Sequence, residues 1–302
     1  MPRRFAILDV FTDRPLAGNG LAVVLDSEGL DDARMQAIAR EFNLSETVFV
    51  LPPENPAHAA AIRIFTPRSE LPFAGHPTVG TAIQLALEAA DANHNKHEMM
   101  LVLEEKIGAV RCGVSLKGEA AGHAMFDLPR LPTAIKDPPE RDLIAGALNL
   151  SPSDVGFENH VPSAFEAGVP YCFVPVRDLD AIARAQPQMR QFGSVFTGPH
   201  AFAFVYTRET LGTDRHFHAR MFAPLSGIAE DPATGSAVAA LAGVIARFDQ
   251  PPGGSHRYTI EQGYEMGRPS LIGLEIDMHD AAVDGARISG DAIVVAQGTL
   301  SA

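Results

Sequence analysis

Arg63-Ile-Phe-Thr-Pro-Arg-Ser-Glu-Leu-Pro-Phe-Ala-Gly-His76-Pro77-Thr-Val-Gly80-Thr81 and Arg220-Met-Phe-Ala-Pro-Leu-Ser-Gly-Ile-Ala-Glu-Asp231-Pro232-Ala-Thr-Gly235-Ser236 read as two versions of one pattern. Each runs from Arg-x-Phe-x-Pro through a loop to a polar residue, then Pro, two residues, Gly and Thr or Ser. Each then enters an Ala-rich stretch. This reading makes His76-Pro77 and Asp231-Pro232 equivalent. A duplicated half-domain predicts two lobes facing each other with a ligand between them. The difference at the most chemical position, His against Asp, predicts two sides with different jobs.

The chain has 302 residues, enough for two domains of about 150 residues each, and its net charge is −13. That charge argues against a nucleic-acid or anionic-membrane binder. It does not exclude a small carboxylate, because helix ends and single arginines act locally. Residues 1–16 lack the apolar core of a signal peptide, and the most apolar helical stretch, 237–246, is too short for a membrane span. The expectation is a cytoplasmic protein. Two cysteines, Cys112 and Cys172, without a Cys-x-x-Cys pair, read as buried reduced thiols.

Periodicity predicts strands at 5–10, 21–25, 47–51, 61–65, 100–104, 109–116 and 123–128, and a helix over 31–42 with Met35, Ile38, Ala39 and Phe42 on one face. A second helix, 77–89, is apolar nearly all round, which implies burial. The prolines at 129, 132, 138 and 139 mark a linker. The second half repeats the order: strands near 168–176, 201–206, 216–222, 258–262 and 270–278, helices over 179–189 and 232–247, and a closing strand pair over 286–297. The class is α+β: two pseudo-symmetric lobes, each a curled, mostly antiparallel sheet around a central helix. The expected domains are residues 1–128, with 286–302 as candidate strands to complete them, and residues 129–285. No dinucleotide or P-loop glycine motif occurs.

Pro is favoured at the first helical position, so Pro77 and Pro232 are read as helix starts and Asp231 as an N-cap. Free N–H groups at Gly75–Thr78 and Gly235–Ser236 would then face a carboxylate or developing negative charge, with hydroxyls from Thr81 and Ser236. His76 can serve as acid or base near neutrality. Glu46, in Asn43-Leu-Ser-Glu-Thr-Val-Phe, has no counterpart in the second half, where the corresponding stretch is read as Gly193-Ser-Val-Phe. A group present in one copy only is a candidate for the catalytic carboxylate. His216 and His218 share a strand face but have no third ligand nearby in sequence, so no metal site is expected.

Asn-Leu-Ser-Glu-Thr-x-Phe, Glu-Leu-Pro-Phe-Ala-Gly-His-Pro-Thr-x-Gly-Thr, Glu-Asp-Pro-Ala-Thr-Gly-Ser-Ala and the Glu261-Gln-Gly…Met-Gly-Arg-Pro-Ser stretch together resemble the phenazine-biosynthesis isomerase (PhzF-like) family over nearly the whole chain. The resemblance implies the diaminopimelate-epimerase-like fold, with the site between its lobes. It also implies no cofactor and a homodimer. In the best-understood family activity a dihydro-hydroxyanthranilate is isomerised by moving a proton between ring carbons. The family's catalytic glutamate maps onto Glu46, its histidine onto His76, and its aspartate and serine onto Asp231 and Ser236, beside Gly75 and Gly235. One departure is Gly18-Asn19-Gly20, where many members have Gly-Asn-Pro; Asn19 stays a substrate-side candidate. Related racemases use a thiol at each helix turn, and this chain has none there.

The expected function is a cofactor-independent isomerase that moves a proton on a small, cyclic or aromatic-precursor, carboxylic acid. Its catalytic residues would be Glu46, His76 and Asp231. Gly75, Gly235, Ser236 and Asn19 would bind substrate. Alternatives are a dehydratase or epimerase on the same scaffold, and a metabolite-binding protein without turnover.

Overall fold

The computed structural model describes residues 2–93 and 97–302. The chain divides into two compact units: residues up to Pro129 together with Ile288–Ala302, and Arg130–Arg287.

The first unit contains β1 (Pro2–Val10), β2 (Asn19–Val24), α1 (Asp32–Phe42), β3 (Glu46–Leu51), β4 (Ala60–Phe65), β5 (Glu70–Leu71), α2 (Gly75–Asn93), β6 (Glu98–Glu105), β7 (Gly108–Leu116) and β8 (Ala121–Asp127). Its strands pair antiparallel except β2 with β3 and β4 with β6. The sheet wraps α2, which packs on β1, β2, β3, β6, β7 and β8. Being surrounded explains the helix's sequence: Val79, Ala82, Ile83 and Ala86 are all fully buried, and small side chains let the strands approach. The amphipathic α1 lies outside. Asp31 caps it by accepting from the Arg34 amide, Asn43 ends it in the left-handed region, and Met35, Ile38 and Ala39 form its buried face.

The second unit holds β9 (Thr133–Ala134), α3 (Arg141–Ala147), β10 (Ser163–Glu166), β11 (Pro170–Pro175), α4 (Leu179–Arg184), α5 (Met189–Val195), β12 (Ala203–Thr207), β13 (Phe217–Ala223), β14 (Ile228–Asp231), α6 (Gly235–Phe248), β15 (Gly254–Gln262) and β16 (Ser270–His279). From β10 on, the pairing senses repeat those of the first unit in order, with β11–β12 and β13–β15 parallel and the rest antiparallel. Its central helix is α6, buried from Ala237 to Ile245 and packed on β10, β11 and β16. The last strand, β17 (Ala282–Ser301), runs through the boundary, and its Ala292–Ser301 portion pairs antiparallel with β1.

Register corrects the alignment of the internal repeat. Ile64 pairs with Leu71 as Met221 pairs with Asp231. Arg63 holds Glu70 in a bidentate pair at 2.7 and 2.8 Å, and Arg220 holds Glu230 the same way at 2.8 Å. Each arginine also stacks on the Phe two residues further on, Phe65 or Phe222, because alternate residues of a strand share a face. So Glu70-Leu-Pro-Phe-Ala-Gly75-His76 matches Glu230-Asp-Pro-Ala-Thr-Gly235-Ser236. His76 is equivalent to Ser236, and Asp231 to Leu71. The sequence alignment slipped because the second hairpin is longer, taking in a 3-10 turn at Pro224–Ser226. The same register places Phe202, not a residue of Gly193–Phe196, at the position of Glu46. Residues 193–195 belong to α5.

Other expectations also change. Both central helices begin at glycine, so Pro77 is the third residue of α2, and Pro232 lies upstream of α6. Asp231 is not an N-cap; it ends β14. The helix expected over 179–189 is two short ones, because Pro187 between them cannot donate to an upstream carbonyl. The stretch after Pro129 carries β9 and α3. The closing strand pair is one strand.

Candidate functional site

In the first unit β2 and β3 are parallel, so both start at the same end of the sheet, and α2 packs against both. Asn19 is the first residue of β2, Glu46 the first of β3 and His76 the second of α2. Topology therefore gathers three polar residues that are far apart in sequence. All are buried: Asn19 is 1 % exposed, Glu46 8 % and His76 4 %. Glu46 Oε2 lies 3.1 Å from His76 Nε2. Asn19 Nδ2 faces the other ring nitrogen, Nδ1, at 3.5 Å.

Burial lowers His76 to about 3, so its imidazole is neutral over the working range. An amide N–H directed at Nδ1 favours the tautomer with its proton on Nε2, the nitrogen that faces Glu46. The cluster is thus a carboxyl group beside a neutral imidazole in a largely dry environment. Such a pair can accept a proton from carbon and hand it on.

The loop before Asn19 needs glycine at position 18. Gly18 has φ +64°, and a Cβ there would stand 2.3 Å from the Val10 carbonyl oxygen. Asp9 ties the same loop down by accepting from the Leu16 amide at 2.6 Å.

The second unit has its own polar cluster where α6 begins. Asp231 Oδ2 accepts from Thr234 Oγ1 at 2.6 Å. Gln262, at the end of β15, donates to the Asp231 carbonyl at 2.7 Å and to Thr234 Oγ1 at 3.0 Å, and accepts from the Thr234 amide at 3.1 Å. A side chain from a neighbouring strand thus holds the helix opening that Asp231 was expected to cap. Ser236, the second residue of α6, lies 2.7 Å from the Tyr171 hydroxyl. Gly75 and Gly235 open the two central helices.

Of the seven sequence candidates, Asn19, Glu46, Gly75 and His76 fall in the first cluster and Asp231, Gly235 and Ser236 in the second. Gln262 and Tyr171 carried no role in the sequence reading. The signal for Gln262 was the Glu-Gln-Gly run; the signal for Tyr171 was the Pro-Tyr-Cys strand of the second half. Thr81 is buried, and its hydroxyl has no hydrogen-bond partner among the described residues.

The thiols lie elsewhere. Cys112 sits in β7 and Cys172 in β11, both free and buried. Burial pushes both up, Cys172 to about 12, so neither is a ready thiolate. His218 is clasped between Glu261 at 2.8 Å and Glu265 at 2.9 Å. These partners outweigh burial and raise it to about 9. No grouping of three or more metal-binding side chains suited to an ion occurs among the described residues, and no described helix is long and apolar enough to cross a membrane.

Comparison with known proteins places this chain among isomerases. The chain is 50% identical over 302 residues, 99% of its length and 98% of the relative's, to a protein of Mesorhizobium japonicum named as an uncharacterized isomerase. It is 36% identical over 297 residues, 98% of each chain, to the trans-2,3-dihydro-3-hydroxyanthranilate isomerase of Pseudomonas fluorescens. The crystal structure of a phenazine biosynthesis protein of the PhzF family from Bacillus anthracis superposes with a TM-score of 0.88 at 25% identity, covering 100% of both chains. The profile of the phenazine biosynthesis-like protein family (PhzC-PhzF) matches residues 8–298, and the chain belongs to that family.

Proposed function

We propose that this isomerase moves a proton between carbons of a small cyclic, partly unsaturated carboxylic acid, by acid–base chemistry alone and with Glu46 as the base. The observation that carries the reading is the buried contact of the Glu46 carboxyl group with the neutral His76 ring, 3.1 Å away. A carboxylate that is largely out of water is a stronger base than one in solution. It takes a proton from an activated C–H next to a double bond, and the electron pair shifts along the conjugated system. The proton returns at a different carbon, so substrate and product are isomers and no oxidant or reductant is consumed. His76 Nε2, 3.1 Å from Glu46 Oε2, is close enough to share the proton as the carboxyl group turns towards it.

The helix-opening amides at Gly75 and His76 suit a substrate carboxylate or developing enolate charge. Asp231, Gly235 and Ser236 are proposed as the second set of polar groups that the reaction needs. Buried, strongly protonated thiols in β7 and β11 speak against a two-thiol racemisation. The 36% identical relative acts on trans-2,3-dihydro-3-hydroxyanthranilate, so that compound is the first substrate to try.

The test is an NMR time course of the purified protein with that acid in deuterated water. Loss of the starting ring-proton pattern, appearance of the isomer and deuterium at the newly protonated carbon are expected. Recovery of unchanged, undeuterated starting material from this and a panel of related cyclic acids would overturn the proposal.

A further inference from the structure

Glu105 closes β6 beneath the first turn of α2, and the proton transfer proposed above does not use it. It is buried at 8 % exposure. Thr78 Oγ1 lies 2.8 Å from Glu105 Oε1 and also 2.8 Å from the Ala74 carbonyl oxygen. A hydroxyl has one proton to give. Both contacts are attractive only if Glu105 is itself protonated and donates to Thr78, leaving the threonine proton for Ala74. Glu105 Oε2 has no hydrogen-bond partner among the described residues. That is tolerable for the carbonyl oxygen of a neutral acid and expensive for a carboxylate.

The surroundings fit a neutral acid. Burial pushes Glu105 up to about 8, outweighing Thr78, which pulls the other way. A titratable group that Glu105 acts on is Cys112 on β7, whose thiol is raised by burial and then by Glu105 and the exposed Asp127. Lys106, next along the chain, is turned to Glu70 at 2.5 Å.

The internal repeat supplies an independent argument. Ala60 pairs with Leu103 and Ala61 with Glu104, just as Phe217 pairs with Ile260 and His218 with Glu261. Glu104 and Glu261 even share a job, each accepting two backbone N–H groups and a histidine. One residue further on, Glu105 is equivalent to Gln262. Gln262 is uncharged, and it holds Thr234, the equivalent of Ala74, at the opening of α6.

We propose that Glu105 is a positioning residue that works as a neutral carboxylic acid: through Thr78 it locks the Ala74 carbonyl and so fixes the peptide that presents Gly75 N–H and His76. The Thr78 amide adds a second bond to the same carbonyl at 3.2 Å. Because a peptide is planar, fixing C=O of Ala74 also fixes N–H of Gly75. The proposal rests on the proposed role of that helix end.

The test has one arm that needs no substrate. The infrared difference spectrum of wild type minus Glu105→Gln at neutral pH is expected to contain the C=O stretch of a protonated carboxyl group. A carboxylate band in its place overturns the proposal. The amide shifts of Gly75 and His76 are expected to move in Thr78→Val and to return in Thr78→Ser; shifts that stay put in Thr78→Val also overturn it. In turnover, Glu105→Gln, which copies the second unit, keeps kcat and KM near wild type. Thr78→Val loses about tenfold or more in kcat/KM, the scale of a slightly misplaced site, and Thr78→Ser regains it. A Glu105→Gln protein as inactive as Glu46→Gln would make Glu105 a reacting group and end the positioning account. If the wild type does not turn over the cyclic acid, the proposed function fails, while the infrared and amide-shift arms still decide the state and role of Glu105.

Discussion

Glu46 Oε2 and His76 Nε2 stand 3.1 Å apart at the starts of β3 and α2, both in buried side chains, and burial holds the histidine at about 3. The contact is therefore between a carboxyl group and a neutral ring. The ring nitrogens of His76 are expected to show the neutral form with the proton on Nε2 in 15N NMR at pH 6, where an ordinary histidine is mostly charged. An imidazolium signal at that pH would contradict the assignment.

Stability against pH follows from three buried groups, each with its own sign. His76 is depressed from 6.5 to about 3, so its contribution is complete above pH 6.5 and is lost as pH falls toward 3. Glu105 is raised from 4.5 to about 8, so its contribution is complete below 4.5 and is lost as pH rises to 8. His218 is raised from 6.5 to about 9 and loses its contribution over that range. Between pH 4.5 and 6.5 the first two slopes oppose one another. Tm is expected to be nearly flat there and to fall on either side. Glu105→Gln should flatten the alkaline side, leaving the His218 slope, and an alkaline slope unchanged by that substitution would refute the Glu105 part.

Arg220 is the buried brace of the second unit. Besides Glu230, it donates to the carbonyls of Ile182, Ala183 and Ala185 at the end of α4, at 3.0, 3.2 and 2.9 Å. Arg220→Met leaves Glu230 and those carbonyls without their partner, so a loss of about 3–5 kcal/mol is expected in urea unfolding. Loss of less than about 1 kcal/mol would show that the brace is replaceable.

Asp231 accepts from Thr234 and is not the N-cap of α6, whose opening Gln262 holds. Asp231→Asn keeps an oxygen for that bond. Its Tm should stay near wild type while turnover falls by on the order of 10²-fold, if it handles a proton. A large drop in Tm with unaltered kcat would assign it to structure instead.

Much of the architecture was legible because it follows from periodicity. The alternation in β1–β4 and the all-apolar faces of α2 and α6 give the sheet-around-helix plan directly. The repeat itself was visible, but its register was not. Arg63 and Arg220 anchor the comparison, and the extra 3-10 turn at Pro224–Ser226 can only be placed once Glu70 and Glu230 are seen on their arginines. Proline before a helix was read as the first helical residue. At Asp231-Pro232 a distant side chain, Gln262, set the boundary, and no local rule contains that. Glu46, His76 and Asn19 could be named from their motifs. Their convergence depends on β2 and β3 running parallel, which no single segment reveals. The neutral state of Glu105 needed both the proton count at Thr78 and its equivalence to Gln262.

The central claim, that Glu46 is the base, is tested most directly by kcat of Glu46→Gln on trans-2,3-dihydro-3-hydroxyanthranilate, with ligand affinity measured on the same preparation. Glutamine keeps the size of the side chain and removes its basicity. The account predicts a fall in kcat of on the order of 10²–10⁴ with binding retained. A Glu46→Gln protein that turns over at the wild-type rate would contradict it.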